Sequence, residues 1–221
     1  MNERFKIIGH RGAKGEMAEN SLEGFDYILK NGIKWAEIDL RLNEDGEIVL
    51  HHDKKSEHHI NDRPKDFRLL PKLKDALSLF PELNFNLELK ESTVMEKLKE
   101  IRELKTHPER FMLSSFHHHI VKKLKKVFPE IPCLFLVSGD FFDLYHYIEK
   151  HNVDGIVFEH EFFSENEIKK LLDNGKQVYC YSVDDVGDVV YFYKQGINGI
   201  ITNYPVKMKK HLESLDIFKD E

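Results

Sequence analysis

Cysteine and tryptophan are scarce in this sequence and long apolar runs are missing, and each scarcity narrows what it encodes. Two cysteines in 221 residues leave no disulfide framework. Cys133 and Cys180 both fall inside apolar runs and read as small buried side chains. No segment approaches the ~18 consecutive apolar residues of a membrane-spanning helix. Met1-Asn2-Glu3-Arg4 also lacks the apolar stretch of a secretory leader, so a cytoplasmic protein with no stable membrane insertion is the expectation. Basic charge is not in excess: 33 Lys and Arg stand against 39 Asp and Glu, for a formal charge of −6. That balance argues against non-specific nucleic-acid binding but allows a small anionic ligand held by a local basic site. With no repeat, low-complexity tract or linker to divide it, the chain reads as one domain over residues 1–221.

What the sequence does hold is concentrated between Gly9 and Asp53: His10-Arg11-Gly12, Glu19-Asn20, Glu37-Ile38-Asp39, Asp45-Gly46 and His52-Asp53. Phe5 to Ile8 and Trp35 to Leu40 are short runs of aromatic and branched residues and read as strands. Between them Leu22, Phe25, Ile28 and Leu29 recur at helical spacing, with Asn20 or Ser21 as cap and Asn31-Gly32 as stop. In such a β-α-β unit the reactive groups gather beyond the carboxyl ends of the strands, where His10 and Arg11 fall. Glu37 and Asp39, two apart on one strand, project to the same face and suit a shared ion.

Too few residues separate Arg41 from Ile48 for a crossover helix, so Ile48 to His52 must return antiparallel through the Asp45-Gly46 turn. If the reversal centres on that dipeptide, positions summing to about 91 face each other, which sets His52 beside Asp39. His51 then points to the other face. Discounting this hairpin leaves eight strands: the first two, then Asn84 to Leu89, Phe111 to Leu113, Cys133 to Val137, Gly155 to Phe158, Val178 to Val183 and Gly199 to Thr202. Helical patterns follow them, at Leu73 to Leu79, Val94 to Leu104, Ile120 to Val127, Phe142 to Ile148, Ile168 to Leu172, Val186 to Tyr193 and Val206 to Leu215. The expected fold is an α/β (β/α)8 TIM barrel, with a β-hairpin extension after strand 2 and a short cap insertion before strand 3. The usual size is ~250 residues. An open doubly wound sheet is the competing architecture and usually needs fewer strands.

The ordered set H-R-G, E-N, E-x-D, D-G and H-D, then Glu88-Leu89-Lys90, Ser114-Ser115-Phe116 and Gly199-Ile200-Ile201-Thr202-Asn203-Tyr204-Pro205, resembles the glycerophosphodiester phosphodiesterase family. The resemblance runs from residue 7 to residue 205. It implies a barrel enzyme that hydrolyses small glycerophosphodiesters to sn-glycerol 3-phosphate and an alcohol, with a divalent cation in the site. It also implies attack by the glycerol 2-hydroxyl through a cyclic phosphate, and it sets Glu19 and Asn20 beside the site in a supporting role.

The residue types suit that chemistry. Glu37, Asp39 and Glu88 offer hard oxygen ligands, favouring Mg2+, Ca2+ or Mn2+ over zinc. Arg11 presents a planar fork to phosphate, and Lys90, on the same strand face as Glu88, adds a point charge. His10 and His52 form an acid and base pair whose individual roles the sequence leaves open. Tyr181 stands where the family commonly has Trp, and either stacks on glycerol or fills the barrel mouth. His117, His118 and His119 are consecutive at a helix start and cannot share one face, and His58 and His59 lie in a polar loop. Neither group is read as a ligand set.

Three departures from the family pattern bear on substrate. The segment from Lys54 to Leu87 is short, so the cap is small. Lys54-Lys55-Ser56 replaces a Thr-rich continuation, and Asn203 stands where Asp is common. The alternatives are a lysophospholipase D-like phosphodiesterase and a non-catalytic phosphodiester-binding barrel. Headgroup and oligomeric state are left open.

Overall fold

The computed structural model describes residues 5–54, 66–162 and 164–215. Its elements in chain order are β1 (Lys6–Gly9), α1 (Leu22–Lys30), β2 (Trp35–Leu42), β3 (Ile48–Leu50), α2 (Leu73–Leu79), β4 (Asn84–Leu89), α3 (Val94–Leu98), α4 (Glu103–Thr106), β5 (Phe111–Ser115), α5 (His118–Val127) and β6 (Cys133–Val137). There follow α6 (Leu144–His151), β7 (Gly155–Glu159), α7 (Glu165–Asp173), β8 (Gln177–Tyr181), α8 (Val186–Lys194), β9 (Gly199–Thr202) and α9 (Pro205–Ser214). Hydrogen bonding runs β1-β9-β8-β7-β6-β5-β4-β2, and β1 also pairs with β2, closing eight parallel strands into a barrel. β3 is the extra, antiparallel strand on β2. This is the expected (β/α)8 barrel with its hairpin.

Two apolar layers follow from strand alternation. Side chains on the outer face, such as Ala36, Ile38, Leu87 and Phe135, pack with helix residues such as Phe25, Ile28 and Leu124. Inward-facing Ile8, Met112, Leu134, Leu136, Val157, Tyr179 and Ile201 fill the barrel, with Trp35 and Tyr181 against them. The interior is therefore a packed core below and a polar site above. α1 begins at Ser21, whose hydroxyl accepts from the Gly24 N–H at 3.0 Å.

Two sequence expectations change in the structure. The hairpin register is shifted by one: Leu40 faces Leu50 and Leu42 faces Ile48, so Asp39 lies opposite His51, whose N–H donates to the Asp39 carbonyl at 3.0 Å. The reversal is not centred on Asp45-Gly46; it is a loop of Glu44, Asp45 and Gly46, closed by the Asn43 N–H on the Glu47 carbonyl at 3.0 Å. The Asn43 side-chain oxygen accepts from the N–H groups of Asp45 and Glu47, and Gly46 takes φ +75°, the left-handed position that closes a three-residue hairpin. The run Val94 to Leu104 is also not one helix. After α3 the Glu100 and Ile101 N–H groups bond three residues back, to Lys97 and Leu98, and this tightening separates α3 from α4.

Candidate active site

β1 ends at Gly9, where a side chain is impossible: a Cβ would lie 1.7 Å from the Gly12 carbonyl oxygen. The tight turn that follows puts Arg11 at φ +49°, with Asn20 at +53°, and their backbones are tied by the Asn20 N–H on the Arg11 carbonyl at 2.8 Å. A left-handed arginine is strained, and the turn is held by its contacts. The Arg11 N–H donates to Glu37 Oε2 at 2.8 Å, while its guanidinium reaches Glu19 at 2.8 Å and Asp39 Oδ2 at 3.2 Å. Glu19 thus steers Arg11. Asn20 steers Asp39, donating to Oδ2 at 2.8 Å and accepting from the Asp39 N–H at 3.2 Å.

Glu37, Asp39 and Glu88 are all buried, and one oxygen from each lies within 4.8 Å of the others. Lys90 bridges two of them, 2.5 Å from Glu88 Oε1 and 3.0 Å from Asp39 Oδ1. Burial, then the charges of Asp39 and Glu88, push the Glu37 carboxyl well above its ordinary range. Burial alone would raise Asp39 too, but Lys90 and Arg11 hold it below the usual value. Burial and the neighbouring carboxylates thus weigh against charge on Glu37, and a further cation beside it would relieve that. Glu37 Oε1 is buried without a hydrogen bond, as is Asn86 Oδ1, and buried oxygens in that state want a partner. A hard divalent cation fits this donor set.

A cavity of about 190 Å3 opens above these groups, lined by His10, Arg11, Glu37, His52, Glu88, Lys90 and Tyr181 together with Asn86, Phe116, Leu136, Ser182 and Ile201. Of the residues expected from sequence, seven line it; Glu19, Asn20 and Asp39 lie behind and orient that lining. His10 Nδ1 is 2.7 Å from Asn203 Oδ1. The Asn203 amide nitrogen donates to Asp184 Oδ2 at 2.5 Å, and Asp184 Oδ1 accepts from Thr202 and from the Asn203 N–H. Asn203 therefore has only its oxygen to offer, so His10 Nδ1 carries the hydrogen and Nε2 is the open nitrogen. Burial, with Arg11 next, lowers His10 to about 4.

His52 reaches the cavity although the register places His51 opposite Asp39, because the chain leaves the sheet after Leu50. The His52 carbonyl accepts from Arg41 Nε at 2.9 Å and Nη2 at 2.6 Å, and Nδ1 lies 2.8 Å from Asp53 Oδ1. Arg41 is itself buried and stands 3.6 Å from Glu91. The His51 ring packs edge-on against Phe67, 5.0 Å away. His118 is stacked on Phe135 at 4.1 Å and bonded to the Leu136 carbonyl and Tyr147, while His117 and His119 are exposed. His58, His59 and Lys55 lie outside the described residues.

Asn86 is not among the residues expected from sequence, though it sits two residues before Glu88 on the same strand face and period-2 alternation points to it. Ser182 and Asp184 join the site without any local sequence signal.

The sequence model of the glycerophosphoryl diester phosphodiesterase family matches residues 10–77 and 63–207. The chain belongs to this family. Glycerophosphodiester phosphodiesterases are phosphoric diester hydrolases, and the chain is one of that enzyme class. It is 27% identical over 233 residues to a glycerophosphodiester phosphodiesterase of Caldanaerobacter subterraneus, covering 90% of this chain and 94% of that one. It is 22% identical to a human lysophospholipase D, covering 95% of this chain and 86% of the relative. Among solved structures, an Oleispira antarctica phosphodiesterase in complex with the product sn-glycerol-3-phosphate superposes with TM-score 0.83 at 24% identity, covering 94% of this chain and 96% of the other. A Thermotoga maritima glycerophosphodiester phosphodiesterase gives 0.75 at 21% identity, covering 93% and 97%. Both likenesses are of fold. Among the described residues no helix is long and apolar enough to cross a membrane.

Proposed function

We propose that this family member hydrolyses glycerophosphodiesters to sn-glycerol 3-phosphate and an alcohol, with divalent-cation assistance and with His10 and His52 exchanging protons. The observation that carries the reading is one cavity lined by two histidines, by Arg11 and Lys90, and by two of the three clustered acids, Glu37 and Glu88, with Glu37 Oε1 buried and unpartnered. Glu37, Asp39 and Glu88 would hold the ion. When bound, a divalent cation polarises a phosphoryl oxygen and orients the diester.

Arg11 and Lys90 bind the phosphate as fork and point charge. His10, neutral and with its Nε2 lone pair free, takes the proton from the glycerol 2-hydroxyl as that oxygen attacks phosphorus. His52 rests on the Asp53 carboxylate, a partner that accommodates the imidazolium, and gives its Nε2 proton to the departing alkoxide. The products of this step are the free alcohol and a five-membered cyclic phosphate. In the second step the roles reverse: His52 takes a proton from water, the water oxygen bonds to phosphorus, and His10 returns its proton to the 2-oxygen as the ring opens.

The test is release of glycerol 3-phosphate from a panel of glycerophosphodiesters with added magnesium or calcium. Folded protein with metal and no turnover of any diester overturns the proposal. One observation favours a lysophospholipase D as the second reading: Phe116, which lines the cavity, and Phe141, Phe142 and Phe162, which follow β6 and β7 at the same carboxyl-end face of the barrel, are exposed and offer an acyl chain apolar surface. Faster turnover of lysophosphatidylcholine than of glycerophosphocholine selects that reading.

A further inference from the structure

His10 and His52 stand at different depths of the cavity. The His10 side chain is 18% exposed and that of His52 38%, so the glycerol reacting at His10 sits at the closed end and the alcohol released at His52 leaves by the open one. His10 Nε2 points toward β2, 3.9 Å from Glu37 Oε2, while Ser182 Oγ, 3.4 Å from Nδ1, lies on the other side of the ring. Asn86 is the residue of β4 in register with Glu37. Both line the cavity, and paired residues of parallel neighbours project to the same side. The Asn86 side chain therefore faces the glycerol end. It is 1% exposed, and its Oδ1 is buried with no hydrogen bond. Standing two residues nearer the amino end of β4 than Glu88, it reaches the level of apolar packing, and Leu136 and Ile201 of the interior cluster line the same cavity.

The polar groups of a glycerophosphodiester can be matched to this lining in turn. The phosphate oxygens take Arg11, Lys90 and the cation, the 2-hydroxyl takes His10, and the ester oxygen of the departing alcohol takes His52. One polar group of the glycerol is left, the 1-hydroxyl. Among the described lining residues, two buried acceptors lack a hydrogen bond, Glu37 Oε1 and Asn86 Oδ1; the first belongs to the cation. We propose that Asn86 accepts a hydrogen bond from the glycerol 1-hydroxyl, so that the chain selects diesters in which that hydroxyl is free. The inference rests on the phosphodiesterase reading above and extends it to the part of the substrate that is retained. A buried acceptor built for a hydroxyl discriminates strongly, because an analogue without the hydrogen leaves it orphaned away from water. An acyl group on the 1-oxygen removes the hydrogen in the same way and adds bulk at the closed end. The same contact therefore disfavours 1-acyl lysophospholipids.

The test compares kcat/KM for glycerophosphocholine and for 2-hydroxypropyl phosphocholine, which lacks only the 1-hydroxyl, with magnesium present. The wild type should favour the first by about 100-fold or more. Asn86→Leu, which keeps the volume and removes the acceptor, should shrink that ratio by about 10-fold or more. Asn86→Ala reads the same ratio independently, and unfolding midpoints identify a variant that has lost its fold. A wild type that treats the two diesters alike overturns the proposal, as does a ratio unmoved in folded Asn86→Leu. Faster turnover of lysophosphatidylcholine than of glycerophosphocholine also overturns it. If the wild type hydrolyses no diester, the phosphodiesterase reading fails separately, and titration calorimetry with glycerol 3-phosphate and propane-1,2-diol 1-phosphate decides the contact. Tighter binding of glycerol 3-phosphate by the wild type, with the difference lost in Asn86→Leu, supports it; equal affinities or no binding overturn it.

Discussion

Asn203 Oδ1 lies 2.7 Å from His10 Nδ1 while the amide nitrogen of the same side chain is held by Asp184 at 2.5 Å. The carboxylate fixes which way the amide points, and the amide fixes which nitrogen of His10 carries hydrogen. Asp184 touches no reacting atom and acts as a positioning residue. In Asp184→Ala the amide is free to flip, and His10 should populate both tautomers. We expect kcat to fall about 10-fold to 100-fold with KM little changed. The ring 15N shifts of His10 should lose their single-tautomer pattern. Unchanged shifts and rates would mean the amide is held by other contacts.

Arg41 clamps the second histidine through two bonds to the His52 carbonyl, at 2.9 and 2.6 Å. Lysine keeps the charge but not the planar fork. Arg41→Lys should lower kcat by about 10-fold and cost roughly 1–3 kcal/mol of stability, since the partly buried carbonyl loses a charge-assisted partner. Steady-state kinetics and a denaturant titration measure the two effects. Wild-type values for both would remove the clamp from the account.

Metal should stabilise the folded chain through Glu37. Magnesium or calcium is expected to raise the unfolding midpoint of the wild type, because binding to the native state alone adds its free energy to stability. Glu37→Gln should lose most of that rise, and chelation should abolish turnover of the wild type. An equal midpoint rise in Glu37→Gln would move the ion elsewhere.

For pH, His10 is lowered from 6.5 to about 4 by burial and by Arg11. A histidine that is harder to protonate folded than unfolded contributes stability that is fully present above 6.5 and is lost as pH falls toward 4. The contribution is on the order of 3 kcal/mol. Between pH 7 and pH 4.5 the metal-free wild type should lose more stability than His10→Gln, measured by urea unfolding at each pH. Parallel losses in the two proteins would show that His10 does not titrate as its burial demands.

Much of this was legible in the sequence because strand periodicity is local. Trp35-x-Glu37-x-Asp39 and Glu88-x-Lys90 could be assigned to one face by counting, and the short Arg41 to Ile48 interval excluded a crossover. Asn86 was equally legible by the same alternation. The hairpin register was harder, because Asp45-Gly46 is compatible with two loop lengths, and the Asn43 side chain, by capping two N–H groups, decides between them. The link from His10 to Asn203 and Asp184 joins residues from β1, the loop after β8 and the end of β9. Only barrel closure brings them together.

The central claim is proton transfer by His10 and His52 on a glycerophosphodiester. Phosphorus NMR of glycerophosphocholine turnover, in wild type, His10→Ala and His52→Ala, tests it most directly. We expect glycerol 3-phosphate as the product, a transient cyclic-phosphate resonance in the wild type, and turnover reduced by a factor of about 100 or more in each variant. Wild-type rates in both variants, with glycerol 3-phosphate still the product, would contradict it.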